Sequence, residues 1–273
     1  MTYLRPKSIE ISSDRYIELY GSNEKSKSKL FNIGAGAWSH DYWSNIDLPP
    51  QTAEFAAIQA PYVAHDLLTQ PTLPIESGAA DAFYCSHVIE HLPNDNVMNL
   101  MQETRRALKV GGVLRIVTGP CCDLDWDAIN RQDSDWWYWF DEPQSKVTMK
   151  EPLTTMSIYD RWLFSVATAR SPWSDTACEK KYNSIEVEKM VKLNKNKYKL
   201  LDRLTGGIAF DYASPGNHLS WWNIRKLRKF LKQAGFSIVK HSGYGQSDLN
   251  LMRDLRYFDQ TYPQISVYIE AFK

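Results

Sequence analysis

The sequence is short of cysteine, has no long apolar run and carries no surplus of either charge, and each shortage removes a class of protein. Cys85, Cys121, Cys122 and Cys178 are its only cysteines, without CxxC spacing. That excludes a disulfide-stapled scaffold and a four-cysteine zinc module, so reduced thiols in a cytoplasmic protein are expected. No stretch approaches the ~20 apolar residues of a membrane-spanning helix. Arg5, Lys7, Glu10 and Asp14 interrupt the place where a signal peptide would be apolar, so export is not expected. With 32 basic and 32 acidic residues the net charge is zero, which gives no global pull towards nucleic acid. The local exception, Arg225, Lys226, Arg228, Lys229 and Lys232, falls on one predicted helix and reads as a solvated face. What the chain has in excess is aromatic surface: ten tryptophans and fifteen tyrosines in 273 residues.

The stretch LFNIGAGAWSHDYWSNIDL, Leu30 to Leu48, organises the rest. Leu30 to Ile33 is a short apolar run ending in a turn signal, which predicts a buried strand. Gly34 and Gly36 then bring bare backbone to the strand's carboxyl end, where open α/β sheets hold their ligands. Asp47 closes a second predicted strand, Trp43 to Ile46, and a carboxylate there can accept two hydrogen bonds from a ribose diol. A dinucleotide fingerprint would need a third glycine where Ser39 stands, and its acid usually comes ~20 residues on. A nucleoside without a diphosphate fits better, and S-adenosylmethionine is the common one.

Further along, Ser13 could cap a short helix through Leu19, followed by a polar link from Gly21 to Ser28. Tyr62 to Ala64 reads as a third strand ending at His65 and Asp66, and Ala82 to Ser86 as a fourth. Asn94 to Val110 is an amphipathic helix, with Val97, Leu100, Met101, Thr104 and Leu108 at helical spacing and Gly111 ending it. Val113 to Thr118 returns as a strand. Strands alternating with helices predict a parallel sheet. From Gly119 to about Gly216 the alternation lapses, and this tryptophan-rich stretch is read as an inserted cap over the sheet's carboxyl edge. Ser220 is the expected N-cap of a helix through Ala234. Phe236 to Val239 and Ile265 to Ala271 are expected to pair as an antiparallel edge.

The order FNIGAG, NIDL, HDLL, LPIESGAADAFYCSHVIEHL, ALKVGGVLRIV, AGF and SVYIEAFK closely resembles that of class I S-adenosylmethionine-dependent methyltransferases. The resemblance covers about residues 29–119 and 217–273. It implies an α/β, Rossmann-like, seven-stranded, mostly parallel sheet with helices on both faces and an antiparallel last strand. The division expected is a peripheral segment at 1–28, a methyltransferase domain at 29–119 and 217–273, and an aromatic-rich cap at 120–216. Carried over by position, Gly34, Ala35 and Gly36 face the methionyl part, and Asp47 with Leu48 holds the ribose. Asp66 and Leu67 hold the adenine, and Ser86 and His87 lie beside the sulfonium. Asn32 stands where many members carry an acid.

Methyl transfer from a sulfonium needs chiefly alignment and exclusion of water. A hydroxyl acceptor also needs a base, for which histidine is matched near neutral pH, and His87 and His218 are the candidates. SHVIEHL further resembles a segment that supplies ligands to a divalent ion in some O-methyltransferases, which would make His87, Glu90, His91 and His218 a ligand set. The reading favoured from the sequence is no metal. Asp123, Asp125 and Asp127 alternate as in a calcium loop but lack its glycine and its bidentate glutamate. The Trp136 to Phe140 cluster could stack on a sugar face or form a satellite core. The resemblance, through relatives with a similar AGF helix and final YIEA strand, implies O-methylation of a sugar or other small hydroxylated metabolite. The alternatives are an RNA methyltransferase, an N- or S-methyltransferase, and a cofactor-binding module without turnover.

Overall fold

The computed structural model describes residues 10–21, 27–49, 62–141, 155–194 and 196–273, without the side chains of Trp139 and Asp141. The chain divides into two compact units. One comprises residues 1–88, 95–118 and 224–273, and the other residues 89–94 and 119–223.

The first unit is built on a seven-stranded sheet. Its strands are β1 (Leu30–Ile33), β2 (Ser44–Asp47), β3 (Tyr62–Ala64), β4 (Ala80–Ser86), β5 (Leu108–Thr118), β6 (Ile238–His241) and β7 (Val267–Phe272), in the order β3-β2-β1-β4-β5-β7-β6. The first five strands run parallel, while β7 lies antiparallel between β5 and β6. β1 is buried at every position, as a strand covered on both faces must be. Helix α1 (Ser13–Tyr20) precedes the sheet, and helix α2 (Asn94–Ala107) buries Val97, Leu100, Met101, Thr104 and Ala107, the stripe that its spacing predicts.

Several boundaries differ from expectation, among them those of β2, β4, β6 and β7 by one or two residues. The helix expected to reach Val110 stops at Ala107, and β5 begins at Leu108, five residues early. The strand there carries an irregularity: Ala80 pairs with Leu108 and Ala82 with Val113, so Gly111, at φ +81°, sits inside a bulge rather than capping a helix. Ser13 is the first residue of α1, and Ser12 precedes it without a side-chain cap bond.

A buried charge network holds β5 to the later chain. Arg115 is fully buried, opposite Glu270 on β7, and donates to Glu270 Oε1 at 3.1 Å and to Asp259 Oδ2 at 2.5 Å. It also donates to Ser242 Oγ and the Gly243 carbonyl, both at 2.9 Å. Burial opposes the guanidinium's charge, but the two carboxylates outweigh it and raise its pKa.

The second unit holds helices joined by irregular segments and no named strand among its described residues, which is why strand periodicity lapses in the sequence. It contains α3 (Cys122–Arg131), α4 (Ile158–Val166), α5 (Ser184–Leu193) and α6 (Lys197–Thr205). Ser157 and Asn183 start α4 and α5 with capping boxes. Trp137 and Trp162 are fully buried, and Trp126 meets Trp162 edge-on at 5.8 Å, a satellite core of indoles. Asp123 and Asp125 lie on α3, not in a loop: Asp123 pairs with Lys197 at 2.7 Å, and Asp125 accepts from Trp136 Nε1 at 2.7 Å and Ser165 Oγ at 3.2 Å. Burial raises the Asp125 carboxyl to about 7, although both donors act the other way.

The helix expected from Ser220 begins at Ile224, giving α7 (Ile224–Gln233) in the sheet unit, because the Ser220 hydroxyl donates to the Ile89 carbonyl at 2.9 Å instead. On α7, Arg225, Arg228, Lys229 and Lys232 are exposed, whereas Leu227 and Leu231 are buried.

Candidate active site

In the sheet unit, the turn after β1 is constrained glycine by glycine. Gly34 sits at φ +64°, and a Cβ there would overlap Val88 Cγ2 and come within 2.9 Å of Cγ1. Its amide donates to the Ile46 carbonyl at 2.8 Å, which ties the turn to β2. Gly36, at φ +53°, has no atom within 4 Å of the place where a Cβ would stand, so bare backbone faces open space. Ala35 between them is buried.

Asp47 ends β2 and braces this turn. Its Oδ2 accepts from the Gly36 amide and its Oδ1 from the Leu48 amide, each at 2.7 Å. The Asp47 carbonyl accepts from the His65 amide at 2.7 Å and the Tyr62 hydroxyl at 3.0 Å. An ionised carboxylate offers about four lone-pair sites, so two backbone bonds leave room for a diol. Beyond Gly36 the Trp38 indole donates to the Tyr257 carbonyl at 2.6 Å, and the Trp38 carbonyl accepts from Asn45 Nδ2 at 2.7 Å. Buried His40 accepts from the Tyr42 amide at Nδ1, and burial lowers its pKa to about 4, so it stays neutral.

Asp66 and Leu67 follow β3 in a turn. Asp66 accepts from the Leu68 amide and the Thr69 hydroxyl, both at 2.8 Å, and the Leu67 carbonyl accepts from Asn96 Nδ2 at 3.0 Å. Ser86 ends β4. His87 follows at φ +53°, with its amide on the Val117 carbonyl and its Nε2 at 3.1 Å from the Thr261 carbonyl and 2.9 Å from Ser266 Oγ. A carbonyl only accepts, so Nε2 carries a proton in that arrangement.

In the helical unit, the turn Ile89–His91 is tied to the segment 217–222. The Glu90 carbonyl accepts from the Leu219 and Ser220 amides at 2.8 and 3.1 Å, and the Ile89 carbonyl accepts from Trp222 Nε1 at 3.3 Å. One ligand atom each from Glu90, His91 and His218 comes together, all within 4.8 Å of one another. Glu90 is 2% exposed, whereas both histidines are half-buried. His91 Nδ1 lies 3.2 Å from the Asn217 carbonyl, and His218 Nδ1 bonds the Ser165 carbonyl. The two rings are 5.0 Å apart. A small depression here is lined by Glu90, Cys122, Ser165, His218, Ser220 and Trp221, among others. Among the described residues this is the one such ligand group, and His87 is not part of it.

Residues 37–116 match the family model described as a methyltransferase domain. That match runs through Asp47, Asp66 and His87 and meets a sheet ordered β3-β2-β1-β4-β5-β7-β6. Residues 37–116 of the chain thus carry a methyltransferase domain. No curated protein matches the sequence. Among solved structures the methyltransferase is similar to an S-adenosylmethionine-dependent methyltransferase from Archaeoglobus fulgidus, at 12% identity and TM-score 0.42, covering 94% of this chain and 98% of that one. It is also similar to one from Mesorhizobium loti, at 14% identity and TM-score 0.41, with 90% of each chain covered. A third is a possible histamine N-methyltransferase from Thermotoga maritima, at 13% identity and TM-score 0.40, covering 95% and 94%. No helix among the described residues of the methyltransferase is long and apolar enough to cross a membrane.

Sequence reasoning did not find Val88 as the residue that enforces Gly34, nor Trp38, Asn45 and Tyr62 as braces of the turn. Their roles depend on contacts made through side chains that the motifs leave unspecified. His91 gains its partner only through the long return of the chain to His218.

Proposed function

We propose that the chain O-methylates a sugar or another small hydroxylated metabolite. Gly34, Ala35, Gly36, Asp47, Leu48, Asp66, Leu67, Ser86 and His87 form the cofactor's site in this reading. The open space at Gly36 supports it, because a side chain there would fill the cradle. Asp47, braced by two amides, accepts the ribose hydroxyls with its remaining lone pairs. Leu67 packs on the adenine, and Asp66 holds the turn that presents it. When bound, the cofactor supplies an electrophilic methyl on a positively charged sulfur.

An acceptor hydroxyl would attack that methyl as the carbon–sulfur bond breaks, and His87 and His218 are the histidines that this reading offers as the base for the hydroxyl's proton. The observation that favours His218 is its Nδ1 bond to the Ser165 carbonyl. With Nδ1 protonated, a neutral imidazole holds its lone pair at Nε2, where it can take a proton. His87 has its Nε2 on the Thr261 carbonyl, which supports an orienting role for it instead.

The test is incubation with methyl-labelled S-adenosylmethionine and pooled sugars and hydroxylated metabolites, followed by identification of the labelled product. A methyl ether is expected. Label on an amine, a thiol or RNA would replace the proposed acceptor class. Cofactor binding without label on any acceptor would favour a module that does not turn over.

A further inference from the structure

In the sheet unit, the His87 ring at the end of β4 rests against the segment Asp259–Tyr262 and against Ser266, which immediately precedes β7. We propose that Ser266 is a positioning residue that fixes the orientation and tautomer of His87, on a backbone that Asp259 and Tyr262 shape for it.

Backbone strain collects around this ring. Among the described residues four non-glycine residues take positive φ, and three of them lie here: His87 at +53°, Asp259 at +59° and Tyr262 at +39°. Aspartate and histidine visit that region more readily than most residues, but a bulky tyrosine there is an outlier. Such conformations persist only where the surroundings over-determine them, and they gather at functional sites. The Asp259 amide donates to the Tyr84 hydroxyl at 2.7 Å, and its carboxylate pairs with Arg115 and accepts from the Gly245 amide at 3.0 Å. The Tyr262 carbonyl accepts from the Ile265 amide at 3.1 Å and from Ser266 Oγ at 2.8 Å.

The positions of the protons follow from the acceptors. Ser266 has one hydroxyl proton, and two carbonyls stand ready to take it, Tyr262 at 2.8 Å and Thr261 at 3.2 Å. Its Oγ therefore turns a lone pair to His87 Nε2, 2.9 Å away. The Thr261 carbonyl, 3.1 Å from the same nitrogen, can only accept. With the proton on Nε2 every one of these contacts is satisfied. With it on Nδ1, Nε2 would meet the Thr261 oxygen lone pair to lone pair. The Tyr262 ring flanks the imidazole, tilted by 67° with the centroids 6.2 Å apart, and the His87 amide is tied to the Val117 carbonyl on β5. Main chain, ring and tautomer are thus each set by a different contact.

The use of this positioning rests on the methyltransfer reading, in which His87 lies beside the sulfonium; the positioning itself does not. An imidazole free to turn or to change tautomer there would misplace its polar atoms, and a misplacement of about 1 Å can cost on the order of 100-fold in rate.

The experiment uses the full chain labelled with ¹⁵N-histidine and records long-range proton–nitrogen NMR correlations at about pH 8, where an ordinary histidine is neutral. His87→Asn identifies the His87 signals by their loss. The Nε2–H tautomer is expected in the unmutated chain. Ser266→Ala should admit a measurable share of the other tautomer, and Ser266→Thr, which keeps the hydroxyl, should restore the first. Ser237→Ala removes a hydroxyl that bonds the Phe272 carbonyl instead, and should leave the tautomer unmoved. With an acceptor found by methyl labelling, Ser266→Ala should lower kcat by up to about 100-fold, and Ser266→Thr should regain most of it. An Nδ1–H tautomer in the unmutated chain, a measurement that needs no variant to fold, overturns the proposal. So does a tautomer that Ser266→Ala fails to move, or one that moves with kcat unchanged. A tautomer that moves while no acceptor is ever labelled would leave the positioning standing and remove the methyltransfer reading.

Discussion

The two glycines of the turn after β1 should fail in different ways when given a side chain. Gly34→Ala forces an L-residue to φ +64° and drives its methyl into Val88 Cγ2 and Cγ1. The left-handed backbone costs about 1–2 kcal/mol, and overpacking against a valine adds about 1–3 kcal/mol. The expected loss of stability is therefore about 2–5 kcal/mol, from the sum of these two terms. Gly36→Ala, with no atom near its Cβ, should lose only the backbone part, about 1–2 kcal/mol, while weakening cofactor binding. Urea denaturation, with an unchanged slope confirming two-state unfolding, measures the stabilities. Adding Val88→Ala to Gly34→Ala gives a double-mutant cycle in which the clash should appear as a coupling of about 1–3 kcal/mol. Equal losses at the two glycines, or a coupling below about 0.5 kcal/mol, would refute the packing argument.

The remaining predictions concern charge. Asp47→Ala should weaken S-adenosylmethionine by about 1.5–3 kcal/mol, the scale of a lost hydrogen bond to a charged group, and an unchanged dissociation constant by calorimetry would remove the ribose assignment. Arg115→Leu leaves Asp259 and Glu270 buried without their cation. It should destabilise by about 3–5 kcal/mol, with part of the loss recovered in Arg115→Leu, Asp259→Asn; a thermal melt matching the unmutated chain would show that the network contributes little. Asp125 has a folded pKa of about 7, above the unfolded value of about 3.9. Folding therefore favours its protonated form, so its contribution is constant below about pH 4, falls as pH rises to about 7 and is flat beyond. Asp125→Asn should flatten that decline in pH-dependent denaturation, and an unaltered profile would place the titration elsewhere.

The sheet was legible because parallel strands buried on both faces leave short apolar runs in the sequence. Leu30 to Ile33, buried throughout, coincides with β1, whereas Tyr62 to Ala64 coincides with β3 although that edge strand is largely exposed. The turn at Gly34 and Gly36 was legible because both take positive φ, which glycine adopts without strain. The start of β5 was not, because Leu108 to Val110 continue the helical pattern and Gly111 reads as its end, while the bulge there is imposed by pairing with β4. Ser220 has the composition of an N-cap, yet its hydroxyl is taken by Ile89, a partner 131 residues away. The helical unit was hidden for a related reason: its helices are short, and its core is filled by Trp137 and Trp162, whose spacing carries no period. His218 was found from its loop, but its meeting with His91 and Glu90 depends on segments far apart in the chain.

The backbone passes between the two units at 88/89, 94/95, 118/119 and 223/224. A chimaera that grafts only the long segment 119–223 onto another Rossmann-like scaffold would carry His218 but leave Glu90 and His91 behind. Any exchange of this helical unit among homologues, by recombination or by an engineer, must move the six-residue stitch Ile89–Asn94 together with it.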